Sequence, residues 1–181
     1  MARKIQKLKP SILLALITGL VYSPCVLAAS QTYSQRVTIQ VPSYLFIDSD
    51  QRDLNLSFLG QQSGAETNTQ TVVYTIRGNG MMQSEGAPAI TASLDGDFPS
   101  IDLKVKVGPY TKEGGNTELS AVAGDFISIG LAGTSLVKKG TSVGDGKLLR
   151  GQIAMTYKAI ATSSLSSGEY SHGLTITLTD V

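Results

Sequence analysis

The sequence predicts an all-β protein, an antiparallel β-sandwich without helices. Its clearest segment, Ile101 to Val107, alternates four aliphatic residues with three charged ones, the period of a strand with one buried and one solvated face. Leu174 to Thr179 repeats the alternation with threonine on the solvated face. No window carries a 3.6-residue apolar stripe of helical length. Seven or eight short strands separated by frequent turns are typical of an immunoglobulin-like sandwich.

Weaker alternation marks the remaining strands, and glycine-containing turns separate them. The other predicted strands are Arg36 to Val41, Leu54 to Leu59, Thr71 to Arg77, Ala89 to Leu94, Asp125 to Leu131 and Gln152 to Ile160. The segment Leu119 to Ala123 is compatible with a short helical turn. No linker and no internal repeat interrupts this series, so one domain is expected.

The first 28 residues have the layout of a signal peptide. Four basic residues precede the apolar run Ile12 to Leu20, which is too short to be a membrane span. Alanine stands before the cut whether cleavage follows Ala28 or Ala29. We therefore expect export, with a domain at 43–181 that is preceded by an N-terminal arm at 29–42.

Removal of the signal peptide would change the charge balance and the redox chemistry. The full chain has 15 Lys and Arg against 14 Asp and Glu, and the loss of four basic residues leaves 11 against 14. The only cysteine, Cys25, would also be lost. The exported domain would therefore be mildly acidic, with no electrostatic reason to bind nucleic acid and no disulfide to stabilise it.

The expected N-terminal arm alternates apolar and polar residues. Its apolar face would hold four residues in phase: Tyr33, Val37, Ile39 and Val41. Such an arm can pair with its own sheet as an ordinary first strand, or with the sheet edge of another molecule. The alternation alone leaves both alternatives open.

Polar motifs give weak support for catalysis or metal binding. The carboxylates between Asp48 and Asp53 lack the glycine and the glutamate of a calcium loop, so a solvated turn is favoured. The single histidine, His172, has no nucleophile motif around it and is interpreted as a strand-end polar contact. We expect neither catalytic residues nor a cofactor. Lys138, Lys139 and the segment Lys147 to Arg150 form a small basic area that could contact anionic glycans or simply confer solubility.

Several of these segments together resemble the colonization-factor pilins, the fimbrial subunits of the alternate chaperone/usher class. The likeness is carried by the last two strands, Gly151 to Ala159 and Gly168 to Thr179. It extends to Thr71 to Thr75, to Ile101 to Val107 and to Arg36 to Val41. The absence of cysteine after residue 25 agrees with this class and not with the disulfide-bearing pilins.

The resemblance implies an incomplete immunoglobulin-like fold that a donated strand completes. A periplasmic chaperone would fill the apolar groove first, and at the outer-membrane usher the arm of another pilin copy would replace it. The donor residues would be Tyr33, Val37, Ile39 and Val41, and the groove wall would include Leu174, Ile176 and Leu178. The product would be a fimbria at the cell surface that supports adhesion, with a host glycan or protein as receptor.

A second function remains compatible with the sequence. A secreted or surface-displayed monomer that binds carbohydrate would also be an exported β-sandwich, and it would need exposed aromatic residues beside polar groups. A hydrolase is disfavoured because the chain offers one histidine and scattered carboxylates.

Overall fold

The computed structural model describes residues 34–81, 84–142 and 147–180. The signal peptide, both expected cleavage sites and Tyr33 lie outside the described residues. The chain divides into two units between Ile39 and Gln40. In the first unit, residues 34–39 are exposed and have no regular secondary structure.

Among its described residues the second unit contains nine strands and no helix, which confirms the all-β prediction. The strands are β1 (Leu45–Ser49), β2 (Gln70–Gly78), β3 (Pro88–Leu94), β4 (Ile101–Gly115), β5 (Thr117–Ala121), β6 (Ile127–Ser128), β7 (Thr134–Ser142), β8 (Leu149–Ala161) and β9 (Leu174–Leu178).

The nine strands form two antiparallel sheets around one core. One sheet has five strands in the order β1-β2-β8-β4-β6, and the other has four in the order β5-β7-β3-β9. Alternate residues of β2 and β8 are buried, as period-2 sequences require. The largest fully buried side chains are Tyr157, Ile76, Met81, Ile90, Leu136, Leu149, Ile153 and Met155.

Three predicted segments differ from the structure. Arg36 to Val41 forms no strand, and the first strand is β1. Of Leu54 to Leu59 only Phe58 makes a β-bridge, although its alternate side chains still pack on the core. Asp125 to Leu131 is reduced to the two residues of β6. In each case the apolar alternation is present but the segment lacks a continuous neighbouring strand.

The segment Leu119 to Ala123, considered for a helical turn, belongs mainly to β5, which pairs with β7. Strand β7 was not predicted at all, because consecutive residues Leu136 and Val137 are both buried. Register shifts in the β3–β7 pairing accompany this break in alternation. The bulge therefore interrupts the two-residue alternation of apolar and polar residues, which is the signal on which the sequence prediction depends.

Candidate functional site: an open groove between two edge strands

The second unit has an open groove bordered by β1, by the segment that follows it, and by β9 with the segment that precedes it. Each of these strands is the last of its sheet and no backbone ladder joins them, although parts of β1 and β9 lie within 8 Å of each other between Cα atoms. The groove has a volume of about 1510 Å³. Its apolar and aromatic lining consists of Ile47, Leu54, Leu56, Phe58, Leu59, Val72, Tyr74, Leu94, Phe98, Ile101, Leu103, Tyr157, Ala159, Leu165, Tyr170, Leu174 and Ile176.

The wall formed by β9 offers both apolar side chains and unused backbone groups. The amide of Thr179 donates to the carbonyl of Ala89 at 2.9 Å, and the amide of Asp95 donates to the carbonyl of Gly173 at 3.0 Å. Odd-numbered residues of this segment therefore bond to β3. In an antiparallel ladder the even-numbered residues then direct their N–H and C=O groups to the other edge. That edge has no paired strand among the described residues.

The three groove-wall residues expected from the sequence all lie on β9 with half-buried side chains. Leu174 and Ile176 line the groove, while Leu178 lies further along β9 and packs against the core. The same three residues have the backbone groups that face the open edge. An extended chain added there would find backbone partners and apolar contacts at the same positions.

The floor of the groove contains a buried pair of tyrosines. The hydroxyl oxygens of Tyr74 and Tyr157 are 2.9 Å apart, and the Tyr157 hydroxyl lies 3.6 Å from the sulfur of Met155. Burial raises the pKa of both phenols above the ordinary value of 10.0. The pair is consequently neutral at physiological pH, and each ring presents apolar surface to the groove while its hydroxyl is bonded.

A segment between β1 and β2 supplies wall residues that the resemblance did not indicate. Leu54, Leu56 and Phe58 alternate with exposed residues and pack against the core. Side-chain amides replace a neighbouring strand here: Gln70 accepts from the amide of Asn55 at 2.8 Å, and Asn68 accepts from the amide of Ser57 at 2.7 Å. The alternation from 54 to 59 was the available signal, and it was interpreted as a strand rather than as a groove wall.

His172 lies at the end of the groove where β9 begins. Its ring meets Phe98 edge-on, with centroids 4.7 Å apart, and its Nδ1 is 3.3 Å from the carboxylate of Asp95. The same carboxylate accepts from the amide of Gly173 at 2.8 Å. These contacts hold the start of β9 beside the end of β3, which is the strand-end polar role expected from the sequence.

The arm residues have the exposure that a donor strand would need. Val37, Ile39 and Val41 are 74%, 82% and 72% exposed. Apolar side chains so exposed at every second residue gain nothing from the hydrophobic effect where they stand. The described part of the arm, residues 34–42, forms no strand.

The other polar motifs make local contacts. The carboxylates of Asp48 and Asp50 accept hydrogen bonds from the amides of Ser49 and Val73. Within residues 34–81, 84–142 and 147–180, no three His, Cys, Asp or Glu side chains are grouped to hold a metal ion. Lys139, assigned to an exposed basic area, is buried and donates to the carbonyl of Met81 at 3.2 Å. The prediction that Lys139 belongs to an exposed basic area was therefore wrong.

In the part of the chain that the structure describes, no helix is long and apolar enough to cross a membrane. Comparisons of this chain with protein-family models, with curated proteins and with solved structures found no match.

Proposed function

We propose that the protein is a structural subunit of a bacterial surface fimbria, assembled by donor-strand complementation. The observation that carries the proposal is the open edge of β9 above an apolar groove. In this interpretation the two sheets form an immunoglobulin-like sandwich that lacks the strand next to β9, which pairs only with β3. The N-terminal arm of another copy would supply that strand.

The energetics favour such an exchange. Moving Val37, Ile39 and Val41 from water into the groove would contribute about 1.5–3 kcal/mol for each side chain, before the entropy of ordering the arm is subtracted. The backbone of the arm would add hydrogen bonds to the N–H and C=O groups at the open edge of β9. The total is comparable to the free energy of unfolding of a whole domain.

The remaining parts of the proposal follow from the same exposed groove. An apolar groove with a free strand edge promotes aggregation, so export would require a periplasmic chaperone to cover it. Release would occur at an outer-membrane usher, where the arm of another copy or a related pilin replaces the chaperone. The product would be a homopolymer at the cell surface that supports adhesion through a host glycan or protein.

The test uses the alternation of the arm. Ile39→Arg places a charge on the face that would enter the groove, and Thr38→Arg places the same charge on the opposite face. We expect Ile39→Arg, like deletion of residues 30–41, to abolish polymers that persist on gels run without heating. Thr38→Arg should leave them. Polymers of normal length from the deletion variant would exclude the arm as donor.

The alternative function, a monomeric carbohydrate-binding sandwich, makes the opposite prediction. It requires the unaltered chain to remain monomeric at every concentration. It also predicts that Ile39→Arg and Thr38→Arg have the same effect on the size of the protein in solution. The same gels and size-exclusion profiles therefore separate the two functions.

A further inference from the structure

The outer face of the five-stranded sheet carries a row of side chains that the groove does not use. Phe46 of β1 is opposite Arg77 of β2, and Arg77 is opposite Arg150 of β8. In β2 the neighbouring residues Ile76 and Gly78 are buried, so Arg77 points away from the core and its exposed side chain faces solvent. The row therefore lies on the opposite side of the sheet from the groove.

The two arginines form a cross-strand pair of like charges. Directly opposite residues in an antiparallel pair have Cβ atoms about 4.5–5.5 Å apart, and like charges there destabilise the sheet. Arg150 reaches towards Glu113, with Nε 3.8 Å from the carboxylate, and its side chain lies across Gly114. Arg77 has no ion pair among the described residues. This end of the face consequently presents one free guanidinium beside a weakly paired one.

Two exposed aromatic rings border the arginines. Tyr44 and Phe46 are 52% and 44% exposed, and as residues i and i+2 of an extended segment they share the outer face. Asn79 fixes this segment, because its side chain accepts from the amide of Tyr44 at 2.7 Å and donates to the carbonyl of Pro42 at 3.0 Å. The backbone that carries Tyr44 is therefore held in place before any ligand arrives.

We infer that Tyr44, Phe46, Arg77 and Arg150 form a binding site for a glycan that carries an acidic sugar. The apolar face of a sugar ring stacks on an aromatic ring, and a carboxylate or sulfate accepts paired hydrogen bonds from guanidinium groups. An anion between Arg77 and Arg150 removes the repulsion that the pair otherwise carries.

The neighbouring acids determine what kind of anion fits. Asp48, two residues after Phe46, and Glu113 flank the arginines on the same sheet. These carboxylates can accept hydrogen bonds from sugar hydroxyls, but they repel a ligand with many negative charges. The site is thus suited to a sugar chain with a single acidic group rather than to a polyanion such as nucleic acid.

The experiment titrates the full chain carrying Ile39→Arg, which stays monomeric whether or not the unaltered chain forms a polymer, with three matched sugars and follows chemical shifts by NMR. Lactose is the neutral probe, sialyllactose adds one carboxylate, and sulfated lactose adds one sulfate. We expect at least one acidic sugar to bind about tenfold more tightly than lactose, which corresponds to about 1.4 kcal/mol. Binding of sialyllactose alone identifies the carboxylate as the preferred anion, and binding of sulfated lactose alone identifies the sulfate.

Amino-acid substitutions test whether the preference for acidic sugars comes from the row of Phe46, Arg77 and Arg150. Arg77→Gln with Arg150→Gln should reduce affinity for the acidic sugar to the level of lactose. Lys106→Gln, which removes an exposed charge from β4 on the same face, should change it less than twofold. Phe46→Ala should lower the affinity for all three sugars by a similar factor. Equal binding of lactose and both acidic sugars, or equal effects of the arginine and Lys106 variants, would overturn the inference. None of these readouts depends on the arm or on polymer formation.

Discussion

The arm and strand β9 have the same pattern of residues and opposite fates. Val37, Ile39 and Val41 alternate with polar residues just as Leu174, Ile176 and Leu178 do. The first three are more than 70% exposed in a segment without regular structure, whereas the second three are half-buried in a strand that packs on the core. The difference is a partner, since β9 pairs with β3 and the described arm pairs with no strand.

This comparison shows that alternation specifies a face rather than a position in the fold. A period-2 segment becomes a strand only where a sheet edge offers backbone partners and an apolar surface receives its side chains. Here the edge of β9 remains available, and the apolar side chains of the arm remain exposed. Each feature lacks what the other provides, which is the physical basis of the proposed exchange.

The largest effect on the free energy of unfolding is expected from a charge placed on the half-buried face of β9. Ile176→Asp puts a carboxylate opposite Ala92 in the groove lining, and should lower the free energy of unfolding by about 3 kcal/mol. Ile39→Asp should change it by less than about 0.5 kcal/mol, because that side chain is 82% exposed. Urea unfolding of the monomer measures both. Thr175→Asp, on the exposed face of β9, is the matched control, and equal losses at 175 and 176 would contradict the burial argument.

The next largest effect on the free energy of unfolding is expected when the arm is supplied as a free peptide. A peptide of residues 34–42 added to the Ile39→Arg chain should occupy the groove and raise the free energy of unfolding. A ligand at 100 times its Kd contributes about 2.7 kcal/mol, and the increase should follow the peptide concentration. The same peptide carrying Ile39→Arg serves as the control. If both peptides leave the unfolding transition unchanged, the groove does not accept the arm.

A smaller effect is expected at the groove floor. Tyr157→Phe removes the hydrogen bond to Tyr74 and should cost about 1–2 kcal/mol at neutral pH. Burial keeps Tyr157 protonated above the unfolded value of 10.0, so its contribution is complete below pH 10 and declines as the pH rises further. The chain should therefore lose stability above pH 10. Unfolding curves from pH 7 to 11 should show a shallower alkaline loss in the variant, and identical slopes would contradict the role of the buried phenol.

The smallest effect concerns the junction between the arm and the domain. Asn79→Ala removes the side-chain hydrogen bonds to Pro42 and Tyr44 and should cost about 1 kcal/mol. Amide exchange of Leu45 and Phe46 should become faster while that of β8 is unchanged. Asn79→Asp keeps the acceptor for the amide of Tyr44 and should retain part of the protection. Faster exchange throughout β8 would instead indicate general destabilisation.

In the five-stranded sheet, β2, β8 and the first part of β4 could be predicted because they alternate without interruption, whereas β1 was not predicted and β6 was predicted too long. Strands β2 and β8 match the predicted segments within three residues at each end, and β4 continues past Val107 to Gly115. The extension was not visible because Gly108 and Pro109 interrupt the alternation at a register shift. Strand β7 was missed for a similar reason, since a bulge places Leu136 and Val137 together in the core and Lys139 inward.

By itself, the sequence determined the all-β class and the inward face of each regular strand, because the two-residue side-chain period is a local property of the backbone. The tertiary structure decided which alternating segments found a neighbour, that β1 and β9 are edges, and that a groove lies between them. Which edges stay open depends on pairings between residues far apart in the chain. Tyr74 and Tyr157, for example, meet across 83 positions, and no local pattern of residues encodes that contact.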